Sequence, residues 1–123
     1  MINGTAPPKV RADIIAAATR VFSERGYHAA SMTEIANELG IRKPSLYHHV
    51  RKKEDLLFAI HEQMIDELID ETMPVLTSSL SPSEKVAETL RVAMSFVGRH
   101  RDGVTVFLAE HRAVSGPSGS NQV

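Results

Sequence analysis

Between Ser31 and Pro44 the chain carries three helix boundaries in quick succession, and this punctuation limits the fold more than any other feature. Ser31-Met32-Thr33-Glu34 is a capping box. The Ser31 hydroxyl can accept a free N–H of a helix's first turn, while the Glu34 carboxylate reaches back to the Ser31 N–H. Gly40 ends that helix, because glycine takes a positive φ without a Cβ penalty. Pro44 then falls in the first turn of the next helix, where its missing N–H costs nothing. Two short helices joined this tightly cross steeply, as in a helix-turn-helix. Ala36 is small where the helices approach, and Ile41 and Leu46 can plug the gap between them. An ordinary helical hairpin also uses Ala and Gly, so packing alone leaves the choice open.

The surface of the second of these helices decides it. Lys43, Ser45, Tyr47, His48 and His49 are all hydrogen-bonding types, and so short a helix with that surface contributes little to a core. Laid in a major groove, it could read base edges with Lys43, Ser45 and His48. Tyr47, His49 and Lys53 would reach phosphates, joined by the Thr33 hydroxyl and backbone at the preceding helix start. Charge agrees with this division. Up to Lys53 there are nine Lys/Arg against four acids, a balance of +5; from Glu54 onward five Lys/Arg face eleven acids, a balance of −6. A basic unit joined to an acidic one suggests that only the first meets a polyanion.

The remaining chain reads as helical throughout. Ile14, Ala18, Val21 and Phe22 form one face of a first helix from Lys9, stopped at Arg25-Gly26. A long helix begins near Glu54, carries the stripe Leu56, Leu57, Ile60, Met64, Leu68 and Met73, and is closed by Pro74. Ser81-Pro82-Ser83-Glu84 is a second capping box, opening a helix whose inner face is expected to carry Val86, Leu90, Met94 and Val97. Asp102 is expected to cap a last helix holding Val106, Phe107 and Leu108.

Thr33-Glu34-Ile35-Ala36 through Gly40-Ile41, then Pro44-Ser45-Leu46-Tyr47-His48-His49-Val50, then Lys53-Glu54-Asp55-Leu56-Leu57, resembles the tetracycline-repressor (TetR) family. The likeness covers roughly residues 10 to 60, including Phe22 and Gly26-Tyr27. It implies an all-α regulator that binds a palindromic operator in double-stranded DNA as a homodimer and answers to a small-molecule effector. By the same resemblance Thr33, Tyr47 and Lys53 bind phosphate, and Lys43, Pro44 and His49 lie in the DNA contact zone. Two positions depart from the family pattern. Arg42 stands where a Ser often caps the recognition helix, adding a positive charge beside the DNA, and Val50 replaces a more common Phe.

The expected organisation is a DNA-binding domain over residues 1–53, with an unstructured lead over 1–8. A partial helical effector and dimerisation domain follows over 54–114, and a disordered tail over 115–123. Met64, Leu68, Val86, Leu90, Met94 and Phe107 are candidates for an effector pocket or for plain core. Family members continue with further helices, so apolar surface such as the Met64–Met73 stripe is expected to lie open, with instability or association as its consequence.

Other function classes fare worse. Without cysteine there is no disulfide or thiolate zinc site, which fits a reducing cytoplasm. His48 and His49 point about 100° apart on a helix, and His61, His100 and His111 lack the i, i+4 spacing of a preformed zinc face. No nucleophile–base arrangement or phosphate-cradling glycine loop marks an enzyme, and no cofactor is expected. No membrane span or signal segment is read. The remaining rival is a non-enzymatic helical protein-interaction module, using the acidic face Asp66, Glu67, Asp70 and Glu71, which could equally be simply solvated.

Overall fold

A computed structural model describes residues 8–115, with side chains placed for 9–109; the expectations for the lead and most of the tail lie outside the described residues. Six α-helices follow one another: α1 (Pro8–Arg25), α2 (Met32–Leu39), α3 (Lys43–His49), α4 (Lys53–Leu76), α5 (Pro82–Arg99) and α6 (Arg101–Ser115). No helix among the described residues is long and apolar enough to cross a membrane.

The core is built where α1, α2, α3 and the first turns of α4 converge. Ile14, Ala17, Ala18 and Phe22 of α1 meet Ile35 and Ala36 of α2, Leu46 of α3, Val50, and Leu56, Ala59 and Ile60 of α4. The core therefore does not stop at Lys53; α4 completes it. Val106 of α6 joins the same cluster, and α6 packs along α1. There the Ser23 hydroxyl donates to the Asp102 carboxylate at 3.3 Å.

α4 and α5 form a hairpin held at its polar edge by one ion pair and one further polar contact. Arg99 binds Glu71, and His100 Nε2 lies 3.0 Å from Glu67. The second capping box is formed in full, with the Ser81 N–H donating to Glu84 at 2.9 Å. Those hydrogen bonds, from the Ser81 backbone first and its hydroxyl second, hold the Glu84 carboxyl below its ordinary pKa by favouring the charged form.

Three expectations need correction. α4 runs through Pro74 to Leu76. A proline forfeits the bond to the carbonyl four residues back, here that of the exposed Asp70, which water can satisfy. α6 starts at Arg101, so Asp102 sits in its first turn and not before it. The third correction concerns α5. Val86, Leu90 and Met94 face outward and are 61–75% exposed, while Val97 is half exposed at the edge of the inward side. The inward side is formed by Thr89, Val92, Ala93 and the buried Phe96. The helix has two apolar stripes, and the bulkier one points away from α4.

Candidate nucleic-acid interface

The turn between α2 and α3 is built by the residues that its sequence suggests. Ser31 Oγ accepts from the Glu34 N–H at 3.1 Å and the Ser31 N–H donates to Glu34 Oε1 at 3.0 Å, completing the box. Glu34 also pairs with Arg25 at the end of α1, which ties the two helix ends together. At the other end Gly40 adopts φ +69°, ψ +28°. The Gly40 N–H donates to the Asn37 carbonyl at 3.1 Å and the Ile41 N–H to the Ala36 carbonyl at 3.0 Å. This 5→2 and 6→1 pair is a Schellman motif. It turns the chain within two residues and delivers Arg42 in extended conformation as the N-cap of α3, with no side-chain capping bond.

α3 is fixed from beneath. Leu46 and, just past the helix, Val50 are fully buried, so the rotation of α3 about its axis is set by one hydrophobic plug and one flanking anchor. The rest of the helix faces out: Arg42, Lys43, Pro44, Ser45, Tyr47 and His48 are exposed. His49 differs from its expected place on that surface. It is half-buried, its ring edge-packed against His48 at 5.2 Å, with Nδ1 shielded. Thr33 is exposed in the first turn of α2, where backbone N–H groups precede any intrahelical bond. Thr33, α3 and the α3–α4 turn thus expose hydroxyl groups, cations and the backbone N–H groups of a helix start.

Two further cations stand on that turn. Arg51 and Lys52 are both exposed, and Lys52 lies 3.5 Å from Glu54. Nothing but their neighbourhood to α3 marks them. Lys53, expected on phosphate, is placed otherwise. Its ammonium turns inward and donates to the carbonyls of Tyr27, Ala30 and His28 at 2.7, 3.1 and 3.3 Å.

Of the six candidate pocket residues, Met64, Leu68 and Phe107 line an apolar groove of about 230 Å³ between α4, α5 and α6, together with Ile65, Ala93, Phe96, Val97 and Val104. Val86, Leu90 and Met94 are not in it, for the reason given by the orientation of α5. No three His, Asp or Glu side chains among the described residues gather as a metal site.

The chain's likeness to known proteins centres on the same region. Residues 14–60 match the family described as bacterial regulatory proteins, tetR family. Over 113 residues, 92% of this chain and 51% of the relative, the sequence is 30% identical to the HTH-type transcriptional activator FasR of Mycolicibacterium smegmatis. The solved structure of the ketosteroid transcriptional regulator KstR2 of Mycobacterium tuberculosis superimposes with a TM-score of 0.79 at 25% identity, covering 98% of this chain and 62% of that one. The crystal structure of AibR in complex with isovaleryl coenzyme A and operator DNA gives 0.73 at 33% identity, over 87% and 58%. The chain spans about half the length of the curated relatives it matches. By the match over 14–60 and the likeness of its helices to these regulators, residues 14–60 belong to the tetR family of bacterial regulatory proteins.

Proposed function

We propose that this chain is a sequence-specific DNA-binding transcriptional regulator, acting as a homodimer on a palindromic operator and released or recruited by a small-molecule effector. The observation that carries the reading is α3: a seven-residue helix whose buried plug, Leu46, leaves Lys43, Ser45, Tyr47 and His48 facing solvent. Residues 1–53 would be the DNA-binding unit, completed by the first turns of α4, and 54–114 part of an effector and dimerisation domain. Two copies would set their α3 helices about 34–36 Å apart, in successive major grooves. Lys43, Ser45 and His48 would read base edges. Tyr47, Thr33 and the α2 N-terminus would hold phosphates, with Arg42, Pro44 and His49 bordering the contact.

The effector reading is supported by the groove at Met64, Leu68 and Phe107, whose lining is wholly apolar, and by AibR having been crystallised with an acyl coenzyme A. A ligand with an apolar portion fits that lining. Its binding would bias α4, which carries one wall of the groove at Met64 and the α3–α4 junction at its first turn. The relatives include both an activator and a repressor, so either sign of regulation is compatible with the fold.

Selection of bound sequences from random duplex DNA tests the reading. A palindromic site should emerge, with affinity falling steeply between about 50 and 200 mM salt. Tyr47→Phe should weaken all sequences alike, whereas Lys43→Ala should also relax base preference at one position of each half-site. Recovery of no palindrome, or salt-independent affinity, would overturn it.

A further inference from the structure

We infer that Lys53 is a positioning residue, clamping the turn before α2 onto the start of α4, and not a ligand of a DNA phosphate. An ammonium has three N–H donors and no more. Three carbonyls of one turn, those of Tyr27, His28 and Ala30, lie within 2.7–3.3 Å of Lys53 Nζ and occupy all three. The cation also sits 4.6 Å from the centre of the Tyr27 ring, within cation–π range. That ring packs edge-on against Phe22, a core residue of α1, at 5.2 Å. A phosphate could engage Lys53 only by stripping carbonyls from it, and those carbonyls have no α-helical ladder to return to.

The placement gives the clamp a function. The 27–30 turn leads directly into Ser31, the N-cap of α2, and Lys53 is the first residue of α4. One side chain therefore fixes the N-terminus of α2 to the junction where α3 passes into α4. Both ends of the surface assigned to DNA are set by it, and any shift of the α4 start would be felt at Thr33. The inference rests on the DNA-binding reading for what is being positioned, but the clamp itself exists without DNA.

The test uses the full chain, a random-sequence DNA duplex, and the variants Lys53→Gln and Lys53→Arg. A phosphate ligand and a clamp differ in three readouts. Losing a phosphate contact should make the slope of log affinity against log salt shallower by about 0.9, leave the melting temperature of the DNA-free protein unchanged, and be rescued by arginine. Losing the clamp should leave that slope unchanged, lower the melting temperature without DNA, and reduce affinity by the same factor at every salt concentration. Arginine should not rescue it, because no guanidinium nitrogen carries three N–H groups and its wider, flat head does not fit a site built round one nitrogen. Should Lys53→Gln fail to fold, nitrogen-edited NMR of the wild-type lysine ammonium decides. Slowly exchanging Lys53 ammonium protons in the free protein, unaltered by the duplex, are expected. A freely exchanging ammonium, or one that orders only with DNA, would overturn the clamp. If the wild-type chain binds no duplex at all, the DNA reading fails, while the melting and NMR measurements still decide the clamp.

Discussion

The two ends of α4 lie in opposite surroundings. Its first turns enter a core in which Ile14, Ile35, Leu46, Leu56 and Val50 are each at most 2% exposed. Its far end pairs with α5, and along that hairpin Ile65, Ile69, Met73 and Leu76 remain about half exposed while Val86, Leu90 and Met94 stand mostly in solvent. The N-terminal unit closes its apolar surface with its own residues and Val106 of α6. The hairpin buries Phe96 and leaves the larger part of its apolar side chains uncovered. A patch of that kind on a helix pair marks a surface made to be covered, in contrast to scattered single exposures.

The comparison predicts unequal sensitivity to substitution. Leu46→Ala should cost about 2–5 kcal/mol, the usual penalty for emptying a fully enclosed leucine site, read as a loss in urea-unfolding stability. A loss below about 1 kcal/mol would mean that the unit collapses around the gap and that its closure is looser than its burial indicates. Ser31→Ala should cost about 0.5–2 kcal/mol through the lost cap, in the same assay, because Ser31 both accepts from Glu34 and anchors the box that Arg25 grips. Met94→Ser should change stability by no more than about 0.5 kcal/mol while reducing self-association in analytical ultracentrifugation. If it destabilises the chain as Leu46→Ala does, the outward stripe of α5 is core, and the contrast between the two regions disappears.

How much of this was legible in the sequence follows from the range of each interaction. The helix boundaries of the α2–α3 unit are legible in the sequence because their determinants are local. A hydroxyl three residues before a glutamate, a glycine at positive φ and a proline at a first turn each act within one turn of themselves. The span Lys43–His49 and the buried places of Ala36 and Leu46 followed directly. The buried face of α5 is not legible in its sequence, because burial is decided by what lies opposite. Val86, Leu90 and Met94 form the stronger stripe, whereas the side that packs on α4 includes Thr89 and Ala93, which announce little. Lys53 was illegible for a different reason: its partners are main-chain carbonyls 23 to 26 residues earlier, and carbonyls have no letter in a sequence. His49 falls between these cases: it lies three residues after Leu46 and so shares the inward face of α3, a sign that the polar run Tyr47-His48-His49 masks.

Val106 adds a constraint on the order in which the chain can finish folding. It lies in the same core as Ile14 and Ile35, although some ninety residues separate it from α1. A nascent chain can cap α2, form the Schellman turn and seat Leu46 as soon as residues 1–60 are free, because those contacts are short in sequence. The side of α1 that receives α6 must wait until Val106 has been synthesised and a long loop has closed, a step whose entropy cost is met before any contact repays it. The contacts that seat α3 are therefore complete in the chain well before those that seal α1.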